Sequence, residues 1–379
     1  MKKITDFDVK GKRVLMRCGF DVGLDKDNRI IDDFRIKETI PSIEYLLKNK
    51  SMVILMSHLG NPGGQKRPEL SLGPAQEKLL EYLDCSVTKA DDCIGPEIEE
   101  WIQNMASGEI LLLENLRFHI EEENNDVQFA QSLSRLADIF INEAFSVSHR
   151  EHTSIVGVPQ FLPSGIGFLF EKEINGLNKI TKNPKKPLIG IIGGAKLKSK
   201  IKPIKNLLNK VDFLLIAGKV GNAMLIKKGL MKGEIETGID SLLEEIDLNN
   251  PKLILPLDAA IFEDNKRIIR ELDEIKQNDL VFGIGPKTIK EFCQKIEKAQ
   301  TIFWAGPIER GFIDASLAVS QAVKKADAFS VVGGGDMLVF LRKNNLASNF
   351  SYLSAGGGAM LEYLSAGTLA GIEAIRHNL

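Results

Sequence analysis

Two sets of residues in this 379-residue chain have the types and spacing for anion chemistry. In the first half, short apolar runs finish in basic or imidazole residues: Arg17, Ser57-His58, Glu114-Asn115-Leu116-Arg117 and Ser148-His149-Arg150. In the second half, similar runs finish in glycine: Gly193-Gly194-Ala195-Lys196, Ala217-Gly218, Gly283-Ile284-Gly285-Pro286, Ala305-Gly306-Pro307 and Gly333-Gly334-Gly335-Asp336. Guanidinium forks hold carboxylate and phosphate through paired hydrogen bonds. Glycine lets backbone N–H groups approach a phosphate at a helix start. Ligands of open α/β sheets gather at the carboxyl ends of strands. The first half therefore reads as a site for a small acid, the second as a site for a phosphate-bearing ligand. A chain with both moves something between them.

The elements that must carry these ends are βα units. Short Val/Ile/Leu-rich runs alternate with longer amphipathic stretches, which predicts parallel sheets in an α/β fold. Strands are expected at 13–18, 52–57, 110–113 and 139–142, then at 188–192, 212–217, 252–255, 281–284, 301–304 and 329–332. Helical spacing marks 37–48, 74–82, 206–208, 289–296 and 315–323. The expected architecture is two doubly wound, Rossmann-like domains. Residues 1–170 form the first, 171–182 a hinge helix and linker, and 183–360 the second, with the tail 361–379 packing back on the first. The break is signalled by Asn183-Pro184-Lys185-Lys186-Pro187. Glu121-Glu122-Glu123 reads as a solvated helix face, as do Lys198 and Lys202.

Composition narrows the classes. Hydrophobic residues at 44% and charged residues at 26% are those of a globular protein. A net charge of −2 offers no bulk attraction to nucleic acid or anionic membrane, so an anion site must be local. The scattered Cys18, Cys85, Cys93 and Cys293 lack CxxC spacing and read as reduced thiols. No leader or membrane-length apolar run is seen, so the expected compartment is the cytoplasm, and a monomer is the default. GxxxxGK[ST], a GxGxxG after the first strand and GxSxG are absent, and the five histidines lack zinc-type HxxxH or HExxH spacing.

Taken in order, the motifs resemble the phosphoglycerate kinase family over essentially the whole chain. They include Arg13-Val14-Leu15-Met16-Arg17, Asp33-Phe34-Arg35-Ile36, Ser57-His58-Leu59-Gly60, Leu113-Glu114-Asn115-Leu116-Arg117-Phe118 and Asn142-Glu143-Ala144-Phe145. The second half adds Gly193-Gly194-Ala195-Lys196, Ile284-Gly285-Pro286-Lys287-Thr288, Trp304-Ala305-Gly306-Pro307, Gly333-Gly334-Gly335-Asp336 and Gly356-Gly357-Gly358-Ala359. The resemblance implies reversible phosphoryl transfer between ATP and the carboxylate of 3-phosphoglycerate, giving ADP and 1,3-bisphosphoglycerate. It places Arg35, His58, Arg117 and Arg150 at the acid. Nucleotide contacts fall to Gly194, Lys196, Lys200, Gly218, Pro307, Gly333, Gly334, Gly335 and Asp336, the last also beside the nucleotide's Mg2+. Arg35 and Lys200 are the expected catalytic cations. No general base is required, because the attacking carboxylate is ionised near neutral pH.

Several positions depart from the family pattern. In Arg17-Cys18-Gly19-Phe20-Asp21-Val22-Gly23, Gly19 replaces an acid, Asp21 an amide and Gly23 a proline. Alternate side chains of an extended strand share a face, so Asp21 is expected to restore the carboxylate and join the acid site. Asn61 stands for an arginine, a loss of about 1.5–3 kcal/mol or about 10- to 150-fold in affinity. On the nucleotide side Lys219, Ala305, Phe312, Met337 and Ala355 depart as well, with Phe312 aligned to a ribose-binding glutamate. These changes keep a second reading open, a degenerate paralogue that binds nucleotide or an acid metabolite without efficient transfer. A third, a Rossmann-type oxidoreductase, lacks its glycine fingerprint and acidic ribose partner.

Overall fold

The computed structural model of the chain describes residues 1–263, 266–309 and 313–377. These fall into two compact units: Met1–Asn175 with Thr368–Leu379, and Gly176–Gly367. The division lies within one helix, Phe168–Thr181. It ends where Asn183 takes a left-handed φ of 58° and two prolines follow.

The first unit is built on strands β1 (Arg13–Arg17), β2 (Met52–Met56), β3 (Val87–Lys89), β4 (Ile110–Leu112), β5 (Ile139–Asn142) and β6 (Ser164–Ile166). They form a parallel sheet in the order β3-β4-β2-β1-β5-β6. Alternation sends β-strand side chains to two apolar layers. Val14, Met16, Val53 and Leu55 pack with Ile36, Ile40, Ile43 and Leu46 from the helix Phe34–Lys48. Leu15, Ile54, Met56 and Leu111 pack on the other face with Ile98, Ile102, Phe129 and Leu133. Covered on both faces, the sheet is open to ligands only at its strand ends. The chain winds one way from β1 to β2 and the other way from β5 to β6, which puts the switch point between β1 and β5.

The second unit contains β7 (Leu188–Ile192), β8 (Phe213–Ile216), β9 (Leu253–Ile254), β10 (Asp258–Glu263), β11 (Lys266–Glu271), β12 (Val281–Ile284), β13 (Thr301–Ala305), β14 (Phe329–Gly333) and β15 (Tyr352–Ser354). Its main sheet is parallel, ordered β15-β14-β13-β7-β8-β9, and its switch point lies between β7 and β13. Sequence reasoning placed 281–284 in a parallel sheet. Instead β12 pairs antiparallel with β10 in a separate sheet, β11-β10-β12. A short apolar run specifies a strand but not its partner. The run Gly285, Pro286, Lys287 and Thr288 begins the helix Pro286–Ile296. There buried Asp258 accepts from Lys287 N at 2.9 Å and Thr288 N at 3.0 Å, so this motif serves a helix start.

No described helix is long and apolar enough to cross a membrane, and the four cysteines are free thiols.

Candidate functional site

In the first unit the carboxyl ends of β1, β2 and β4, and the turn after β5, bring Arg17, His58, Arg117 and Arg150 into one cluster, joined by Arg35 from the helix Phe34–Lys48. Their mutual field is legible in the imidazoles. Burial, followed by Arg17, Arg117, Arg150 and Arg35, holds His58 well below its ordinary range. Burial and Arg150 lower His149 to about 4. Burial followed by Arg117 and Arg150 lowers His152 to about 3. Each ring is held toward its neutral form chiefly by burial, and then by the neighbouring guanidiniums.

Arg117 has the most unusual hydrogen bonding of the cluster. Its Nη1 donates to Gly60 O at 2.8 Å and to Asn61 Oδ1 at 2.5 Å. Its Nη2 is buried with no hydrogen-bond partner in the protein. Nε lies 3.4 Å from Glu123 Oε1, a charge contact without hydrogen-bond alignment. A buried, unsatisfied guanidinium donor is unfavourable unless something fills it. Asn61, through its Oδ1, orients Arg117.

Asp21 lies beside the cluster, but not on an extended strand as expected: β1 ends at Arg17, and residues 18–23 form a loop beyond it. Asp21 Oδ1 accepts from Gly60 N at 3.0 Å and its Oδ2 lies 3.6 Å from His58 Nε2, while its carbonyl accepts from Arg35 Nη1 at 2.5 Å. The carboxylate is thus a negative member of the cluster, alongside Glu123 at Arg117. The side chain of residue 19 is absent, and a Cβ there would meet Ser146 Oγ at 3.3 Å.

One expectation fails in this region. Glu122 is not on a solvated face: it is 0% exposed and accepts from Ser154 Oγ at 2.6 Å and Ser154 N at 2.9 Å. The helix Ile120–Glu123 is a single turn, too short for charge runs to reveal which face is covered. Arg17 is 1% exposed, and a strand-end arginine taken alone carries no sign of burial.

The second unit presents backbone where the first presents cations. The loops after β7, β8, β13 and β14 touch through glycines. A Cβ on Gly218 would lie 2.8 Å from Gly194 N, one on Gly306 2.8 Å from Gly193 O, and one on Gly334 3.7 Å from Gly306 N. Gly194 has φ +87°, and its Cβ would come 2.7 Å from Lys200 Nζ. Pro307 closes over it, with Cδ 3.5 Å from that same point. Gly333 ends β14, and Gly335 starts the helix Gly335–Lys343.

Lys200 lies at the switch point, its Nζ donating to Gly193 O. Burial first, then Lys196, pulls its ammonium down to about 8, against the opposing pull of Asp336. Lys196 and Asp336 are exposed at the rim, Asp336 in the first turn of its helix. A hard, exposed carboxylate in the first turn of a helix could hold a divalent cation. Lys198 and Lys202 point to solvent.

Met337 is fully buried in the core beside Val332 and Leu341, so its side chain is turned away from the phosphate end. Ala305 is buried on β13. Lys219 lies 3.7 Å from Glu236, both exposed. The departure at Phe312 lies outside the described residues. Glu309 nearby is buried, accepting from Ala315 N at 2.7 Å while its other oxygen has no partner.

Spacing gave no metal motif, yet Asp92, Cys93 and His119 bring ligand-type atoms within 4.8 Å of one another. Each already has a partner: His119 Nε2 lies 2.6 Å from Asp92 Oδ1, Lys66 3.0 Å from Asp92 Oδ2, and Cys93 donates to Glu114 O.

Comparison with known proteins agrees with both halves. The family model described as phosphoglycerate kinase matches residues 4–367. A phosphoglycerate kinase of Coprothermobacter proteolyticus is 39% identical over 387 residues, covering 98% of each chain. One from Borrelia garinii is 40% identical, covering 99% of each. Among solved structures, the phosphoglycerate kinase of Pyrococcus horikoshii superposes with a TM-score of 0.87 at 28% identity, covering 100% of this chain and 99% of that one. That of Coxiella burnetii gives 0.80 at 31%, covering 99% of each.

Proposed function

The chain belongs to the phosphoglycerate kinase family, and from that premise we propose how its own residues carry the reaction. The activity is phosphoryl transfer between ATP and the carboxylate of 3-phosphoglycerate. The acid binds in the first unit, where Arg35, His58, Arg117 and Arg150 supply donors and Asp21 supplies a carboxylate facing His58. The nucleotide lies on the glycine loops of the second unit, with its phosphates against Gly194, Gly218, Pro307, Gly333, Gly334 and Gly335 and toward Lys196 and Lys200. The observation that carries the reading is the buried, unfilled Nη2 of Arg117 inside a four-arginine cluster.

The chemistry needs positioning and charge rather than proton abstraction. The acid's carboxylate is already anionic, so no residue has to deprotonate it. Arg35 and Lys200 hold the charge that spreads over the moving phosphoryl oxygens. Asp336 would hold Mg2+ on the nucleotide, which supplies further charge neutralisation there. Transfer requires the two ligands in line and water excluded, so closure about the helix Phe168–Thr181 belongs to this reading. The enzyme works as a cytoplasmic monomer.

A coupled assay of ADP formation tests it. ADP must appear only when 3-phosphoglycerate, ATP and magnesium are all present. Turnover that ignores 3-phosphoglycerate would sink the assignment of the acid pocket.

A further inference from the structure

Arg17 has no role in the scheme above, yet it is the most buried guanidinium of the acid pocket, 1% exposed. Nη2 lies 2.9 Å from His58 Nδ1, and Nε donates to Ser154 Oγ at 2.9 Å. Nη1 bonds the Cys18 carbonyl and lies 3.4 Å from Ser57 Oγ. Behind it, Ser154 donates both its hydroxyl and its N–H to buried Glu122. The countercharge is therefore relayed through a serine rather than paired directly.

A guanidinium carries donors and no acceptor. A ring nitrogen 2.9 Å from one must offer its lone pair, so Nδ1 of His58 holds no proton. The remaining proton of the neutral ring is then on Nε2, the nitrogen that faces Asp21 Oδ2 across 3.6 Å. We infer that Arg17 is a positioning residue that locks His58 as the neutral Nε2–H tautomer, so that the ring meets the acid ligand as a hydrogen-bond donor.

The surroundings act in the same sense. Arg17, Arg35, Arg117 and Arg150 all disfavour an imidazolium, and Asp21 is the one carboxylate facing the ring among the described residues. The opposite tautomer would aim a bare nitrogen at an oxyanion and leave Arg17 Nη2 facing an N–H. The inference rests on the acid-site reading, since it concerns how that ligand is met.

Long-range 1H–15N correlation spectra of the 15N-histidine-labelled full chain at pH 7 read the tautomer directly. The wild type should show a pyrrole-type Nε2 and a pyridine-type Nδ1 for His58. Adding 3-phosphoglycerate should shift the Nε2 signal without exchanging the pattern. Arg17→Lys retains a donor and should keep it. Arg17→Met should give mixed tautomers, move His58 titration toward its ordinary range, and raise KM for 3-phosphoglycerate about tenfold or more, the loss of one charge-assisted contact, with nucleotide KM unchanged. An imidazolium or a pyridine-type Nε2 in the wild type overturns the inference, as does a folded Arg17→Met with the wild-type pattern. If Arg17→Met does not fold, the wild-type and Arg17→Lys spectra still decide. A His58 signal blind to 3-phosphoglycerate would instead count against the acid site itself.

Discussion

Arg117 Nη1 donates at once to Gly60 O and to Asn61 Oδ1, at 2.8 and 2.5 Å. The Asn61 amide is thus a bracket for this arginine. Nη2 is buried with no partner in the protein.

Arg117→Lys keeps the charge and loses the fork. Losing a charge-assisted hydrogen bond costs about 1.5–3 kcal/mol. KM for 3-phosphoglycerate should rise about 10- to 150-fold, with nucleotide KM unchanged. Initial-rate kinetics with each substrate varied would expose an error as an equal rise in both.

Asp21 ties Gly60 N to the rim of the pocket. Asp21→Ala removes that acceptor and the facing carboxylate together, and KM for the acid should rise about tenfold. Asp21→Asn retains an acceptor oxygen and should lose less. An alanine variant with wild-type affinity for 3-phosphoglycerate would contradict a role in the site.

Lys200, lowered to about 8 chiefly by burial, loses its charge as pH rises through that value. In the free enzyme kcat/KM for the nucleotide should therefore fall above about pH 8, tenfold per pH unit. Bound phosphates favour the charged form, so the kcat profile should break at higher pH. Lys200→Met should cost about 10²–10³ in kcat, the scale of one charge-stabilising donor. A flat nucleotide kcat/KM between pH 7 and 10 would refute this.

Gly194 has φ +87° with Lys200 Nζ 2.7 Å from where its Cβ would be. Gly194→Ala combines backbone strain of about 1–2 kcal/mol with displacement of that ammonium. The expected result is a modest fall in Tm with a much larger fall in kcat. Unfolding scans and kinetics on one preparation separate the two.

Glu143 is buried where it accepts from Leu169 N at 2.9 Å and Phe170 N at 3.1 Å, at the start of the helix Phe168–Thr181. Burial raises its carboxyl from 4.5 to about 7, against the lowering effect of these bonds and Ser42. Between those values the folded chain keeps a proton that the unfolded chain has lost. Its contribution to stability is therefore fullest below about pH 4.5 and declines as pH rises toward 7. The span is on the order of 3 kcal/mol. Glu143→Gln should flatten that part of the stability curve in denaturant titrations from pH 5 to 8. An unchanged slope would assign the titration to another group.

The sequence by itself determined the two halves and the character of their ends. Hydrophobic period and strand-end residues are local properties, so the parallel α/β units, the arginines of the first half and the glycine loops of the second were readable in order. Asp21 was expected from the two-residue alternation of an extended strand, but β1 stops at Arg17, and a loop with contacts to Gly60 and His58 places it. What tertiary structure alone decided is which neighbours those residues meet. Glu122 reads as one of three surface acids until Ser154, distant in sequence, covers it. Val281–Ile284 reads as one more parallel strand until β10 pairs with it in the opposite direction. Met337 reads as a lost hydroxyl until its side chain is seen in the core. The donor face of His58 is of the same kind, since Arg17 meets its ring across 41 residues of chain. Burial and hydrogen-bond partnership depend on contacts remote in sequence, and no local pattern of residue types carries them.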